Sequence, residues 1–237
     1  MKHSIIIVLL FVFTLVNAQK PKLETAEDTI SYCLGINFAY GAKDAGITTI
    51  KPDIVAKAIV DLLEDQETLF NPEQSNEILM KYLSDLKNKK AEMNLKKGET
   101  FLKENKTKPG VVELPSGLQY KILQEGSGES PDPEDKVTVH YEGKLVDGRV
   151  FDSSFERGDP AEFPVNRVIE GWTEALQLMK PGSEWMLYIP PDLAYGDNPR
   201  PGGIIEPNAV LVFRVKLLSI EDVERAAGTG EDKGSTE

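Results

Sequence analysis

Hydrophobic residues repeat at helical spacing in the first half of the chain. Between residues 52 and 65, apolar side chains recur every three or four positions, which predicts a helix with one buried face. Two more helices are predicted from their start signals. One begins at Thr25, which is followed three positions later by an acidic residue, and ends near residue 43. The other begins at Asn71-Pro72 and ends near residue 106.

The third of these helices is the longest, and at 1.5 Å per residue it would measure roughly 50 Å. Its apolar stripe is clear only in its first half, at Ile78, Leu79, Tyr82, Leu83 and Leu86. The pattern therefore predicts a distal half that is bathed in solvent and acts as a stalk. Helices gain most of their stability from packing an amphipathic face, so this segment needs a partner. The partner is either a second copy of the segment, which gives a dimer, or the C-terminal part of the same chain.

The pattern changes at Lys108-Pro109-Gly110, after which short runs of period two alternate with glycine and proline. Strands are predicted at residues 118–124, 136–145, 149–151, 183–189 and 209–220, and one short helix at 168–176. The pattern therefore predicts an α+β fold. A C-terminal antiparallel β-sheet wraps on a short helix and is preceded by an all-α N-terminal dimerisation domain with a long stalk helix.

The first residues of the chain differ from the rest. Lys2 precedes an apolar run of about a dozen residues and a small-residue site at Val16-Asn17-Ala18, a pattern typical of a secretory signal peptide. The run is shorter than the roughly 20 residues that a membrane-spanning helix requires. We therefore expect an exported protein without a membrane span. Its predicted location is the periplasm, with secretion or association with the outer membrane as alternatives.

These features together predict four regions. They are a signal peptide at 1–18, a helical dimerisation domain with the stalk at 19–108, a sheet domain at 109–221 and a disordered tail at 222–237.

Charge is distributed unevenly along the chain. Residues 19–110 contain 14 Lys and Arg against 15 Asp and Glu, whereas residues 111–237 contain 12 against 24. Most of the formal net charge of −12 therefore lies in the second half. Because such a surface repels the phosphate backbone, we expect no nucleic-acid partner.

Cysteine and histidine are scarce. Beyond the predicted signal peptide the chain contains only Cys33 and His140, too few for an internal disulfide or a zinc site of the usual kind, and we expect no metal and no cofactor. A hydrolase would depend on His140 alone, which strand alternation predicts to be an outward or edge residue. Cys33 lies in an apolar stripe with Ile30 and Leu34, which predicts a buried structural thiol.

Five segments of the second half carry a family resemblance. They are, in order, GLQYKIL, VHYEGKLVDGRVFDSS, VIEGWTEAL, MKPGSEWMLYIPPDLAYG and IIEPNAVLVFRVKLL. Together they resemble the FKBP-type peptidyl-prolyl cis-trans isomerases over residues 117–220. The helical half and stalk resemble the two-domain, dimeric bacterial members typified by macrophage infectivity potentiator proteins.

The resemblance implies an isomerase that acts on X-Pro bonds during the folding of exported proteins. It implies a homodimer formed through the N-terminal helices, unfolded or proline-containing polypeptides as partners, and binding of FK506- or rapamycin-type inhibitors. An alternative is a dimeric holding chaperone whose isomerase activity is incidental.

The resemblance also implies a pocket for the proline ring, with Trp172 as its floor. Catalytic roles fall to Tyr141, Asp152, Tyr195 and Phe213, and substrate-binding roles to Phe151, Arg157, Phe163, Val168, Ile169, Trp172, Ile204 and Ile205. The Tyr195 hydroxyl and the Ile169 backbone N–H would donate to substrate carbonyls. An apolar pocket of this kind favours the twisted amide, which is less polar than the planar one.

Asp152 would lie at the pocket rim, where the Tyr141 hydroxyl and Arg157 satisfy its oxygens and keep it ionised. The alternative is that Asp152 caps backbone N–H groups in a local turn. Two departures from the family pattern stand out. Ala161 replaces a common aromatic residue and would open one side of the cavity, and Glu206 stands where many members have proline. Both affect the expected substrate preference and inhibitor affinity.

Overall fold

The computed structural model describes residues 21–200 and 202–221. The predicted signal peptide at 1–18 and the predicted tail at 222–237 lie outside the described residues. By its internal contacts the chain divides into two compact units, Met1–Ile50 and Lys51–Glu237. The domain boundaries set out above stay predictions. Among the described residues, no helix combines the length and the hydropathy that crossing a membrane requires.

In the part of the chain that the structure describes, three helices precede the sheet, and each lies close to its predicted bounds. They are α1 (Ala26–Asp44), α2 (Pro52–Leu63) and α3 (Pro72–Asn105). At the start of α1, the Thr25 hydroxyl accepts from the Asp28 N–H at 3.1 Å and the Asp28 carboxylate accepts from the Thr25 N–H at 2.8 Å. Asn71 and Gln74 form the same reciprocal capping box at the start of α3. These caps fix both helix starts because they satisfy N–H groups that have no partner within the helix.

The side chains of α1 are uncovered in the described chain, and none of its residues is buried. Ile30, Leu34 and Phe38 are 60%, 65% and 48% exposed. Cys33, on the same helix, is exposed as well, so the prediction of a buried thiol is wrong for the single chain. The physical reason is that the apolar stripe to which Cys33 belongs is itself exposed along α1 within the described residues.

Within the described residues, seven strands form one antiparallel sheet. They are β1 (Val111–Glu113), β2 (Gln119–Gln124), β3 (Lys136–Leu145), β4 (Val150–Ser153), β5 (Ala161–Pro164), β6 (Glu184–Ile189) and β7 (Leu211–Glu221). Their order is β1-β2-β6-β7-β3-β4, with β5 also paired to β3. β3 is therefore a central strand, and His140 on it is not an edge residue.

The core lies between the sheet and the short helix α5 (Glu170–Leu176). Along β3, Val137, Val139 and Tyr141 are buried at every second position. α5 approaches the sheet closely because Gly171 has no side chain, and a Cβ there would lie 2.5 Å from Cγ2 of Ile189. This close packing holds the next residue of α5, Trp172, against the sheet.

The distal half of α3 packs against the sheet, so the prediction that it is bathed in solvent is wrong. Gly98 is buried against Val210, and a Cβ at Gly98 would lie 2.6 Å from Cγ2 of Val210. Near the end of α3, the buried Asn105 donates to the Gln119 side chain at 2.9 Å, and Gln119 donates to the Leu102 carbonyl at 2.9 Å. Phe101 also packs on Tyr188 of the sheet, with ring centroids 6.0 Å apart, but small and polar residues make the other contacts, so the docking leaves no continuous apolar stripe in the sequence.

Candidate active site

Four aromatic rings, each from a different element of the fold, meet at one end of the core. Tyr141 comes from β3, Trp172 from α5, Phe213 from β7 and Phe163 from β5. The ring centroid of Trp172 lies 5.3 Å from that of Tyr141, 5.2 Å from that of Phe213 and 5.9 Å from that of Phe163. All three contacts are edge-to-face, the arrangement that aromatic quadrupoles favour.

This cluster forms one wall of a cavity of about 680 Å³. The cavity is lined by Tyr141, Phe151, Asp152, Phe163, Arg167, Val168, Ile169, Trp172, Tyr195, Pro199, Arg200, Gly203, Ile204, Ile205 and Phe213. All of the predicted catalytic and substrate-binding residues are in this set except Arg157, which adjoins it through Asp152. Trp172 is only 4% exposed but still lines the cavity, so the indole is not closed off inside the sheet.

Gly143, which was not predicted as a site residue, leaves the space that two aromatic rings of the cavity wall occupy. A Cβ at Gly143 would lie 2.5 Å from Cε2 of Phe151 and 2.7 Å from Cε1 of Phe213. The two rings therefore meet edge-to-face over this backbone, with centroids 5.4 Å apart. The available signal was a glycine inside an alternating strand, which often marks a close approach of this kind.

Asp152 lies at the rim and is held by two donors. The Tyr141 hydroxyl donates to one carboxylate oxygen and an Arg157 N–H donates to the other. Arg157 also donates to the Tyr141 hydroxyl oxygen at 3.2 Å. The predicted partners of Asp152 are confirmed.

A short helix that the sequence pattern did not predict, α4 (Ser154–Arg157), carries Arg157 to this position. The Ser153 hydroxyl caps α4 by accepting from the Glu156 N–H at 3.2 Å, and Gly158, at φ 82°, ends it. A single turn is too short to produce a helical repeat in the sequence.

The contacts of the rim set the ionisation of Asp152 and Tyr141. Burial, the largest single influence, raises the pKa of Asp152. The hydrogen bonds from Tyr141 and Arg157, together with the charge of Arg157, outweigh it, so this pKa lies below its ordinary value. Burial, followed by the hydrogen bond to Asp152, raises the pKa of Tyr141. Near neutral pH, Asp152 is therefore a carboxylate and Tyr141 a neutral phenol.

The buried side chain of Ser154 hydrogen-bonds to the backbone of β3 at Tyr141. The Ser154 hydroxyl accepts from the Tyr141 N–H at 2.7 Å and lies 3.3 Å from the Tyr141 carbonyl, to which it donates. Nδ1 of His140 lies 3.2 Å from the same hydroxyl, and its ring stacks on Phe155 with centroids 5.0 Å apart. Because neighbouring residues of a strand point to opposite faces, His140 points away from the cavity.

The far side of the cavity is built by residues 195–200 and 202–209, named here the flap segment. Tyr195 and Ile204 are 46% and 38% exposed, and both line the cavity. Pro199, Arg200 and Gly203 line it as well and were not among the predicted catalytic and substrate-binding residues. Their spacing is that of ordinary turn residues. The one signal in the sequence is that they lie between the predicted site residues Tyr195 and Ile204.

The two departures from the family pattern fall in different places. Ala161 lies in β5, paired with Val139, and is not among the residues that line the cavity. Glu206 follows the cavity residue Ile205 directly, and its carboxylate is bound by side chains of α3. Of the two, only Glu206 has contacts that connect the cavity to another element.

Fold and cavity together define a class of protein. An apolar cavity walled by aromatic rings, with one ionised carboxylate at its rim, suits an enzyme that binds a compact apolar group. The carboxylate is ionised near neutral pH and its pKa is lowered, so it is a weak proton acceptor and is suited to orienting or polarising a neighbouring group.

Comparison with known proteins gives the family. Residues 127–218 match the model of the FKBP-type peptidyl-prolyl cis-trans isomerase, and residues 27–122 match the model of the domain amino terminal to it. The chain is 47% identical over 207 residues to the outer membrane protein MIP of Legionella longbeachae, covering 84% of this chain and 88% of that protein. It is 42% identical over 206 residues to the peptidyl-prolyl cis-trans isomerase Mip of Coxiella burnetii, covering 84% and 89%.

A solved structure agrees with this result. The crystal structure of FkpA from Escherichia coli superposes with a TM-score of 0.66 at 31% identity, covering 84% of this chain and 99% of that chain. The chain belongs to the FKBP-type peptidyl-prolyl cis-trans isomerase family, in its two-domain bacterial form, and is a peptidyl-prolyl cis-trans isomerase. The alternative of a holding chaperone with incidental activity is not favoured by these comparisons.

Proposed function

We propose that the chain accelerates rotation about X-Pro bonds of exported polypeptides by binding the twisted imide in the cavity around Trp172. The observation that carries this proposal is the meeting of the predicted site residues around one aromatic cavity. No covalent intermediate is needed, because the reaction is a rotation about one partial double bond.

The apolar lining supplies the driving force of this mechanism. Rotation must overcome a barrier of about 18–20 kcal/mol, which arises from resonance in the planar amide. The planar amide is more polar than the twisted one, so moving it from water into an apolar cavity disfavours the planar form more. Only such differential binding lowers the barrier. An acceleration of about 10⁵-fold would require about 7 kcal/mol from this effect and from hydrogen bonds to the substrate.

Each group at the site has a proposed part in this mechanism. Trp172 lies under the proline ring, with Phe151, Phe163 and Phe213 as walls and Val168 beside them. The exposed Tyr195 hydroxyl donates to a substrate carbonyl, and the Ile169 N–H, at the start of α5, donates to another. Asp152 orients Tyr141 and polarises the imide without transferring a proton. Arg157 holds Asp152, while Ile204 and Ile205 close the far side.

The assembly and location are also part of the proposal. A homodimer through the N-terminal helices is supported by the exposed apolar side chains of α1 and by the match of residues 27–122 to the amino-terminal domain of the family. Export to the periplasm is supported by the signal-like pattern at residues 1–18 and by the relative described as an outer membrane protein. We expect FK506- or rapamycin-type inhibitors to occupy the cavity.

The proposal is tested by turnover of a short Xaa-Pro peptide, followed by NMR exchange or a protease-coupled assay. Trp172→Ala removes the floor of the cavity and should lower kcat/KM at least about tenfold, which corresponds to about 1.4 kcal/mol. Asp152→Ala should lower it as well. The matched control is Trp185→Phe, which alters another buried tryptophan that stacks on Tyr120 and does not line the cavity. Full activity of Trp172→Ala would contradict the proposal.

A further inference from the structure

Two side chains of α3 bind the carboxylate of Glu206 in the flap segment. Nζ of Lys90 donates to one oxygen at 3.3 Å, and Nδ2 of Asn94 donates to the other at 3.3 Å. Nδ2 of Asn94 also donates to the Pro207 backbone carbonyl at 3.0 Å. Both oxygens of Glu206 and the next carbonyl are therefore held by one helix.

The same face of α3 reaches the flap segment at a second point. Nζ of Lys87 donates to the Asn198 side chain at 2.7 Å, near the start of the segment. Lys87, Lys90, Asn94 and Gly98 are spaced by three, four and four residues, which places them on one side of a helix. Gly98 lies against Val210, directly after the flap segment. α3 therefore contacts both ends of the flap segment along a single stripe.

The segment held in this way also builds the far side of the cavity. Ile205, directly before Glu206, lines the cavity together with Ile204 and Tyr195. The Asn208 N–H donates to the Gly196 carbonyl at 2.7 Å and ties the two ends of the segment together. A shift of Glu206 would therefore be transmitted to Ile205 through the backbone, and to the start of the segment through this hydrogen bond.

We propose that α3 positions the flap segment through Lys90 and Asn94 on Glu206, and that this contact sets the affinity of the cavity for its substrate. The three are positioning residues, because none of them lines the cavity around Trp172. The inference rests on the proposed function, since it assigns a consequence to the same cavity. It also gives a role to the distal half of α3, whose sequence carries no apolar stripe.

The test measures KM and kcat separately for an Xaa-Pro peptide in the full chain. The side chains of Lys90 and Glu206 are 39% and 34% exposed, so their contact is of moderate strength. For Glu206→Ala and for Lys90→Ala we expect KM to rise about two- to fivefold with kcat unchanged. The matched control is Lys89→Ala, which removes an exposed lysine next to Lys90 and should leave KM unchanged.

A charge reversal separates positioning from general damage. Lys90→Glu alone should raise KM, and combining it with Glu206→Lys should restore KM to within about twofold of the wild type, because the pair is re-formed with opposite sign. Hydrogen exchange of the flap-segment amides should be faster in Glu206→Ala and normal in the double variant.

An unchanged KM in both alanine variants, or a double variant that does not regain the wild-type KM, would overturn this inference. Either result would leave the isomerase proposal standing. That proposal fails by a different observation, namely full turnover in Trp172→Ala.

Discussion

The carboxylate of Asp152 keeps its charge because two neighbouring side chains donate to it. Its pKa lies below the ordinary value in the folded chain, whereas in the unfolded chain it returns to that value. The ionised form therefore stabilises the fold above the ordinary pKa of a carboxyl group. This contribution is lost as the pH falls through the lower pKa of the folded state.

We predict that Asp152→Asn lowers the free energy of unfolding at pH 7 by less than about 1 kcal/mol, since the Asp152 side chain is 42% exposed. The difference from the wild type should shrink as the pH falls below the ordinary carboxyl pKa. Urea denaturation of both proteins at pH 7 and in acid measures it. The control is Asp192→Asn, which removes an exposed carboxylate that forms no ion pair within the described part of the chain. A difference that grows in acid would contradict the assignment.

Among single residues, those with a motif around them could be predicted and those defined by packing could not. Trp172 and Asp152 stand in segments that resemble a family, so their positions around one cavity followed from the order of the motifs. Gly143 and Ser154 act across strand contacts between residues distant in the sequence. Arg167 lines the cavity only because the backbone turns there, and the residue alone does not indicate this.

Helices and long strands were predictable as elements because caps and periodicity act locally. α1 and α3 begin at the caps that the sequence indicates, and β3 has the bounds predicted from its alternation. β1, β5 and α4 were missed because three or four residues are too few to establish a period. β5 also ends at Pro164, a residue that argues against a strand.

The prediction that the distal half of α3 is exposed to solvent was wrong for a different reason. Its exposure was inferred from the loss of apolar residues after Leu86. The helix nevertheless docks, through the missing side chain of Gly98 and the amides of Asn94 and Asn105. A helix that docks by close backbone approach and polar contacts has no hydrophobic periodicity along its buried face. Predictions from the spacing of apolar residues therefore underestimate how much of such a helix is buried.

Gly98 provides a test of this docking. In a helix interior, alanine is more favourable than glycine by about 1 kcal/mol. At position 98, however, the Cβ of alanine would overlap Val210, which is 2% exposed and has little room to move. Overpacking of this kind costs about 1–3 kcal/mol, so we predict that Gly98→Ala is destabilising on balance, and Gly98→Leu more so. Glu99→Ala, an exposed change on the same helix, should be neutral or stabilising. Thermal and urea unfolding measure these effects, and a more stable Gly98→Ala protein would argue against the docking.

At the scale of the whole molecule, neither α1 nor α2 has a buried residue in the described part of the chain, and α1 is the longer of the two. Ile30, Leu34 and Phe38 lie four residues apart along one face, and further exposed apolar residues, Tyr32, Ile36 and Tyr40, lie along the opposite face. A helix that is apolar on all sides is normally buried. None of the residues of α1 is buried in the described chain, which is why a second copy is the proposed partner.

If α1 forms the proposed dimer interface, Leu34→Glu, alone or with Phe38→Glu, should convert the dimer to a monomer, because a carboxylate in an apolar interface must be desolvated without a partner. Sedimentation should show half the wild-type mass. Turnover of a short Xaa-Pro peptide should stay within about twofold, since every residue that lines the cavity lies between Tyr141 and Phe213. Refolding of a protein substrate limited by proline isomerisation should slow, because a dimer presents two cavities to one chain.

The control is Lys43→Glu, which adds a carboxylate near the end of the same helix and should leave the dimer intact. A Leu34→Glu protein that sediments as the wild type would show that α1 is covered in another way.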